Sequence, residues 1–146
     1  MTGELLVVVG LPGSGKTEYM KTLASAVTGC VADDYMKDSL GGSEFTMSRS
    51  RRLVVEALRT GKNCIVSDIE LCRPHRRAEF EQTMRADVPS LLIRWVFFRN
   101  DPAACTQNVI CRARPQMIEE LRKIQELAPQ YQIPAGAIVR PVHGGS

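Results

Sequence analysis

The chain alternates short apolar runs with longer stretches in which apolar residues recur every three or four positions. Leu5-Leu6-Val7-Val8-Val9 is continuous and rich in β-branched residues. That is the signature of a strand buried on both faces, so a strand is expected over Glu4 to Val9. From Lys16 to about Val27 the pattern changes period, with Met20, Leu23, Ala24 and Val27 on one helical face until Thr28-Gly29 interrupts it. Cys30-Val31-Ala32 reads as a short second strand, and Lys37 to Ser43, with Gly41-Gly42 at its tip, as a loop. A second helix is expected from about Thr46 to Thr60, with Val54, Ala57 and Leu58 inward and Gly61 as its stop.

The same alternation continues to the end. Cys64-Ile65-Val66 is a short apolar strand, and Pro74 suits the first turn of a helix running to about Ala86. Leu91 to Phe98 is the longest β-like run and holds the only tryptophan, Trp95, which is expected in the core. Asp101-Pro102 opens a helix that carries Arg112 and Arg114 at its end before Pro115. Gln116 to Leu127 forms another, stopped by Pro129, and Ala137 to Val139 is left as a last edge strand. Strands alternating with helices predict an α/β fold, a parallel sheet with helices on both faces.

Size narrows the picture. With 146 residues, 44% of them hydrophobic, the chain is expected to be one domain, 1–146, with little length for a separate lid or substrate domain. No long apolar stretch and no basic-then-apolar start is present, so neither a membrane span nor a signal peptide is expected, and the location expected is cytoplasmic. Five cysteines, with no C-x-x-C and no zinc spacing, read as buried or idle thiols of a reducing cytoplasm. The net charge of +3 hides an asymmetry: residues 1–48 carry −3 and the remainder +6, nearly all of the positive charge there being arginine. Such a half suits a polyanion or a nucleotide equally, and charge alone does not separate them.

The chemistry begins directly after the first strand. Gly10-Leu11-Pro12-Gly13-Ser14-Gly15-Lys16-Thr17 fits G-x-x-x-x-G-K-[ST], between a strand and a helix as that pattern requires. The glycines let backbone N–H groups close on phosphate oxygens, and the following helix adds the positive end of its dipole. Lys16 is expected on the β/γ-phosphates and the Thr17 hydroxyl on Mg²⁺. Gly10, Pro12, Gly13, Ser14, Gly15, Lys16 and Thr17 are therefore the expected contacts of a nucleotide, with ATP and Mg²⁺ as the implied ligands.

In parallel sheets ligands collect at the carboxyl ends of the strands. Here the second strand ends in Asp33-Asp34 and the third in Asp68. Asp33 is the candidate general base, Asp34 the alternative, and Asp68, after an apolar run, the candidate for magnesium or acceptor contact. Negative charge develops on a transferring phosphoryl group, so a donor from a closing segment is expected. The stretch near 105–116 is the lid candidate, offering Arg112 or Arg114. Arg49, Arg51 and Arg52 read as a solvated helix face, while Arg73, Arg76 and Arg77 flank the mouth holding Asp68. His75 and His143 read as structural or surface residues.

The P-loop, then Asp33-Asp34-Tyr35, then Ile65-Val66-Ser67-Asp68 before an Arg/Pro-rich helix start, resemble the kinase domain of polynucleotide 5′-hydroxyl kinases and the wider group of small AAA-like ATP-binding kinases. The resemblance spans most of residues 4–114. It implies a three-layer P-loop fold with a five-stranded parallel sheet and the P-loop strand at its centre. It implies Lys16 and Thr17 on Mg·ATP, Asp33 as base for an acceptor hydroxyl, Asp68 lining the same site, and a lid arginine matched by Arg112 or Arg114. The sequence departs from the nucleic-acid kinases at Met36, where they carry an acceptor-holding arginine. The expected activity is ATP-dependent phosphotransfer to a hydroxyl of a nucleic-acid 5′ end, a nucleotide or a small metabolite. An ATP-binding switch module and an NTP hydrolase fit the same loop.

Overall fold

The computed structural model describes residues 2–27, 29–32 and 44–143. Its strands are β1 (Glu4–Val9), β2 (Val31–Ala32), β3 (Cys64–Ser67), β4 (Leu92–Phe98) and β5 (Ile138–Arg140). The helices are α1 (Lys16–Leu23), α2 (Glu44–Arg59), α3 (Pro74–Asp87), α4 (Pro102–Arg112) and α5 (Met117–Leu127). The five strands form one sheet in the order β2-β3-β1-β4-β5, and every pairing is parallel. The P-loop strand is central, as expected.

Register assigns the two faces. Val7 lies level with Val66 and Trp95, and Val8 with Ser67 and Val96, so odd and even positions of β1 look to opposite sides. Leu5, Val7 and Val9 join the larger core with Val54 and Leu58 of α2, Phe80 and Met84 of α3, Val109 of α4, and Ile124 and Leu127 of α5. Val8, Ile65 and Phe98 meet Met20 of α1 in a smaller cluster on the other side. Helices thus cover both faces, giving the three-layer α/β architecture. Trp95 is half-buried against Phe80, edge on, and stacked beside Phe97.

Four details differ from the sequence pattern. The first helix stops at Leu23 and tightens into a 3₁₀ turn, Ala24–Ala26, after which Val27 is extended (φ −114°, ψ 146°), a backbone its branched Cβ favours. β2 has two residues, since Cys30 stays outside the strand. A 3₁₀ turn, Ile69–Cys72, lies between β3 and α3, started by the Asp68 carboxylate accepting the Glu70 N–H at 2.8 Å. Finally, α4 ends at Arg112 because Ala113 turns left-handed (φ 48°), donating its N–H to Val109 and Ile110, so Arg114 lies beyond the helix. Among the described residues no helix is long and apolar enough to cross a membrane.

Candidate active site

The chain leaves β1 at Val9 and bends at once, because β1 lies between β3 and β4 and the loop must clear both. Gly13 and Gly15 take φ of 84° and 103°, values that L side chains rarely adopt. Space is closed there as well. A Cβ on Gly13 would meet the Cys105 carbonyl oxygen of α4 at 2.4 Å, and one on Gly10 would meet Ser14 Oγ at 2.6 Å. Conformation and packing both call for glycine at positions 13 and 15, and packing alone at position 10.

Lys16 opens α1 yet is 8% exposed, its stem buried and its ammonium donating to the carbonyls of Gly10 (2.7 Å) and Leu11 (3.1 Å). The cation is thereby held inside its own loop, at the turn where phosphate oxygens are expected. Ser14 Oγ is buried and finds no hydrogen-bond partner among the described residues. A buried hydroxyl left unpaired costs free energy, and an oxygen-rich ligand in the loop would satisfy it. Thr17, the next residue of α1, is exposed. Thr17 at the helix start and the buried Asp68 at the end of β3 are the oxygen-bearing residues that would hold Mg²⁺, which keeps several waters and takes few protein ligands.

Asp68 follows β3 directly and is 1% exposed. Register sets Ser67 level with Val8, so Asp68 emerges beside the start of the P-loop. Cys72 and Cys105 lie in the same region. Burial pushes the Cys72 thiol up to about 12 and the Cys105 thiol to about 11, although the nearby Lys16 charge opposes both shifts. Both are neutral small apolar groups here, and neither is a nucleophile.

Sequence reasoning missed how the loop is supported. Asn108 of α4 donates from Nδ2 to the Gly13 carbonyl (2.9 Å) and to the His143 carbonyl (2.6 Å). The His143 N–H in turn donates to the Ser14 carbonyl at 3.0 Å, and its Cβ abuts Gly15. One side chain therefore ties the phosphate loop to the helix on one flank and to the exit of β5 on the other. Beneath the loop, the buried Tyr131 hydroxyl reaches the carbonyls of Val9 and Phe98, linking the ends of β1 and β4. The loop is legible because its motif fills eight consecutive positions, whereas these side-chain partners lie 33 to 122 residues away and carry no local signal.

The other candidates are distributed unevenly. Asp33, Asp34, Met36 and Lys37 lie outside the described residues. Arg112, at the end of α4, is paired with Glu120 of α5 at 3.1 Å. Arg114 is exposed in the turn between the two helices. The arginines beside Asp68 are engaged away from the mouth. Arg73 pairs with Glu70 and Glu126 and donates to Gln130, which raises its pKa chiefly through the Glu70 carboxylate. Arg77 donates to the Leu71 and Gln132 carbonyls and lies over the Phe97 ring, and burial lowers its pKa. Arg76 pairs with Glu79. On the second helix, Arg51 pairs with Asp87 of α3.

Comparison with known proteins gives the same architecture. An uncharacterized protein of Acanthamoeba polyphaga mimivirus is 28% identical over 133 residues, spanning 90% of this chain and 85% of that protein. The solved structure of a gluconokinase from Sinorhizobium meliloti is similar with a TM-score of 0.60 at 18% identity, covering 97% of this chain and 83% of that one. A sugar kinase from Janibacter sp. is similar with a TM-score of 0.65 at 16% identity, covering 97% and 86%. At these identities the likeness is one of fold. The family model of the AAA domain matches residues 5–133. A P-loop on the central strand of a five-stranded parallel sheet and this match over most of the chain agree, and the chain belongs to the AAA domain family.

Proposed function

We propose that this protein is an ATP-dependent phosphotransferase that moves the γ-phosphate of ATP to an acceptor hydroxyl. The observation that carries the reading is Lys16, a buried ammonium held at the turn of a glycine-closed loop, with a buried carboxylate, Asp68, at the next strand end. Charged groups are not buried in this way without a task or a partner, and the loop carbonyls are a partner that phosphate oxygens can replace.

Backbone N–H groups of residues 13–17 and the start of α1 would hold the β- and γ-phosphates, with Lys16 bridging them. The Thr17 hydroxyl and the Asp68 carboxylate would hold Mg²⁺, which would supply charge neutralisation to the phosphate oxygens. The acceptor oxygen attacks the γ-phosphorus while the bond to the β–γ bridging oxygen breaks. The acceptor proton passes to a carboxylate, assigned to Asp33, and ADP leaves. Arg112, on a lid formed by residues 105–116, is the donor assigned to the transferring group once it leaves Glu120. The acceptor class is a hydroxyl of a nucleic-acid end, a nucleotide or a small metabolite.

The test is transfer from γ-labelled ATP to a panel of 5′-hydroxyl oligonucleotides, nucleosides and small hydroxylated metabolites, with Asp33→Asn alongside. Label on one acceptor class, lost in the variant while ATP binding persists, is the expected result. Bound ATP with no transfer to any acceptor would sink the proposal, and phosphate release without an acceptor would replace it with hydrolysis.

A further inference from the structure

Cys30 and Cys64 were expected to be idle thiols, but they are not apart. The Cys30 Sγ–H points at Cys64 Sγ at 3.5 Å, and Cys64 Sγ lies 3.9 Å from the Val54 carbonyl of α2. The backbone explains the meeting. Val31 is level with Ile65, so residue 30 is level with residue 64 across the β2–β3 ladder, and the Ile65 N–H donates to the Cys30 carbonyl at 3.0 Å. Neighbouring strands run about 4.8 Å apart, within the Cα separation of about 4.4–6.8 Å that a disulfide spans.

The surroundings favour reaction at this pair over the other cysteines. Cys30 is half-buried just before the edge strand, which gives this pair one partly exposed member, whereas Cys64, Cys72 and Cys105 are all buried. Gly29 places no side chain against Cys64: a Cβ there would meet its sulfur at 2.8 Å. The S–H that Cys30 donates to Cys64 lowers the Cys64 thiol below its ordinary value, the direction that favours thiolate there, and raises that of Cys30.

We propose that Cys30 and Cys64 are an oxidisable dithiol site that takes a hydroperoxide and closes to a disulfide joining edge strand β2 to β3. The Cys64 thiolate attacks one peroxide oxygen, breaking the O–O bond and forming a sulfenic acid; with hydrogen peroxide the leaving oxygen departs as water. Cys30 then attacks that sulfur and expels the second oxygen as water. Two thiols and one hydrogen peroxide thus give one disulfide and two waters, and a thiol reductant reverses it. The bond would tie down the strand that ends one residue before Asp33. The proposal is independent of the phosphotransfer reading.

The full-length chain carrying Cys111→Ser, which removes the exposed cysteine, is treated with hydrogen peroxide, alkylated under denaturing conditions without reduction, and weighed. Most molecules should lose the mass of both thiol hydrogens, resist alkylation at two cysteines, and yield a linked peptide pair containing residues 30 and 64. Dithiothreitol should restore full alkylation, and Cys30→Ser, checked for folding by its melting curve, should abolish the linkage. Full alkylation after peroxide would overturn the proposal. So would a linkage between other cysteines, or Cys64 remaining free while Cys30 accumulates sulfinic acid.

Discussion

Asn108 and Gly13 lie 95 residues apart, and the Asn108 amide holds the Gly13 carbonyl at 2.9 Å. The same amide holds the His143 carbonyl, so one side chain links the phosphate loop, α4 and the exit of β5. Asn108→Ala should break both bonds and leave two carbonyls unpaired. At about 1 kcal/mol per bond, Mg·ATP binding by titration calorimetry should weaken by up to about thirtyfold. Unchanged affinity in a variant whose loop still melts with the fold would show that the bracket does not position the nucleotide.

Arg112 is held by Glu120 at 3.1 Å. If the lid donor must leave that carboxylate, Glu120→Gln should raise labelled transfer about twofold, the scale of a part-exposed ion pair near 0.5 kcal/mol. Arg112→Ala should cut it about a hundredfold. Equal rates in wild type and Arg112→Ala would reassign the donor, with Arg114 the next to test.

Tyr131 and the buried thiols set an alkaline limit. Burial pushes the Tyr131 hydroxyl well above its ordinary value and holds Cys72 and Cys105 up to about 12 and about 11. Each group is neutral when folded and ionises more readily when unfolded. Its stabilisation is therefore complete below the unfolded pKa, about 8.5 for the thiols and 10 for the phenol, and is lost as pH rises toward the folded values. Melting temperature should fall steadily between about pH 9 and pH 11. Tyr131→Phe should lower it at pH 7 by releasing the Val9 and Phe98 carbonyls, and should flatten its alkaline decline. A melting temperature level across that range would contradict the assignment.

Ala113 is the one non-glycine residue with positive φ among the described residues. Ala113→Gly should relieve that strain and raise stability by about 0.5–1 kcal/mol, read as a shift in the denaturant midpoint. A destabilised variant would mean that the Ala113 methyl contributes packing at the α4–α5 turn.

The sequence by itself determined most of the elements and the residues that turn around phosphate. Those depend on local periodicity and on glycines whose conformation other residues rarely adopt, and both are written into consecutive positions. Lys16 is legible for the same reason, as its role depends on its distance from Gly10 along the chain. The tertiary structure alone decided what surrounds that loop. It assigned Arg73 and Arg77 to carboxylates and carbonyls of distant segments, brought His143 against Gly15, put Asn108 between two strands' ends, and set Cys30 against Cys64. Each of these contacts follows from sheet order and strand register, which place β1 between β3 and β4 and pair residue 30 with residue 64. Order and register are chosen by the packing of the whole core, and no window of the sequence contains that sum.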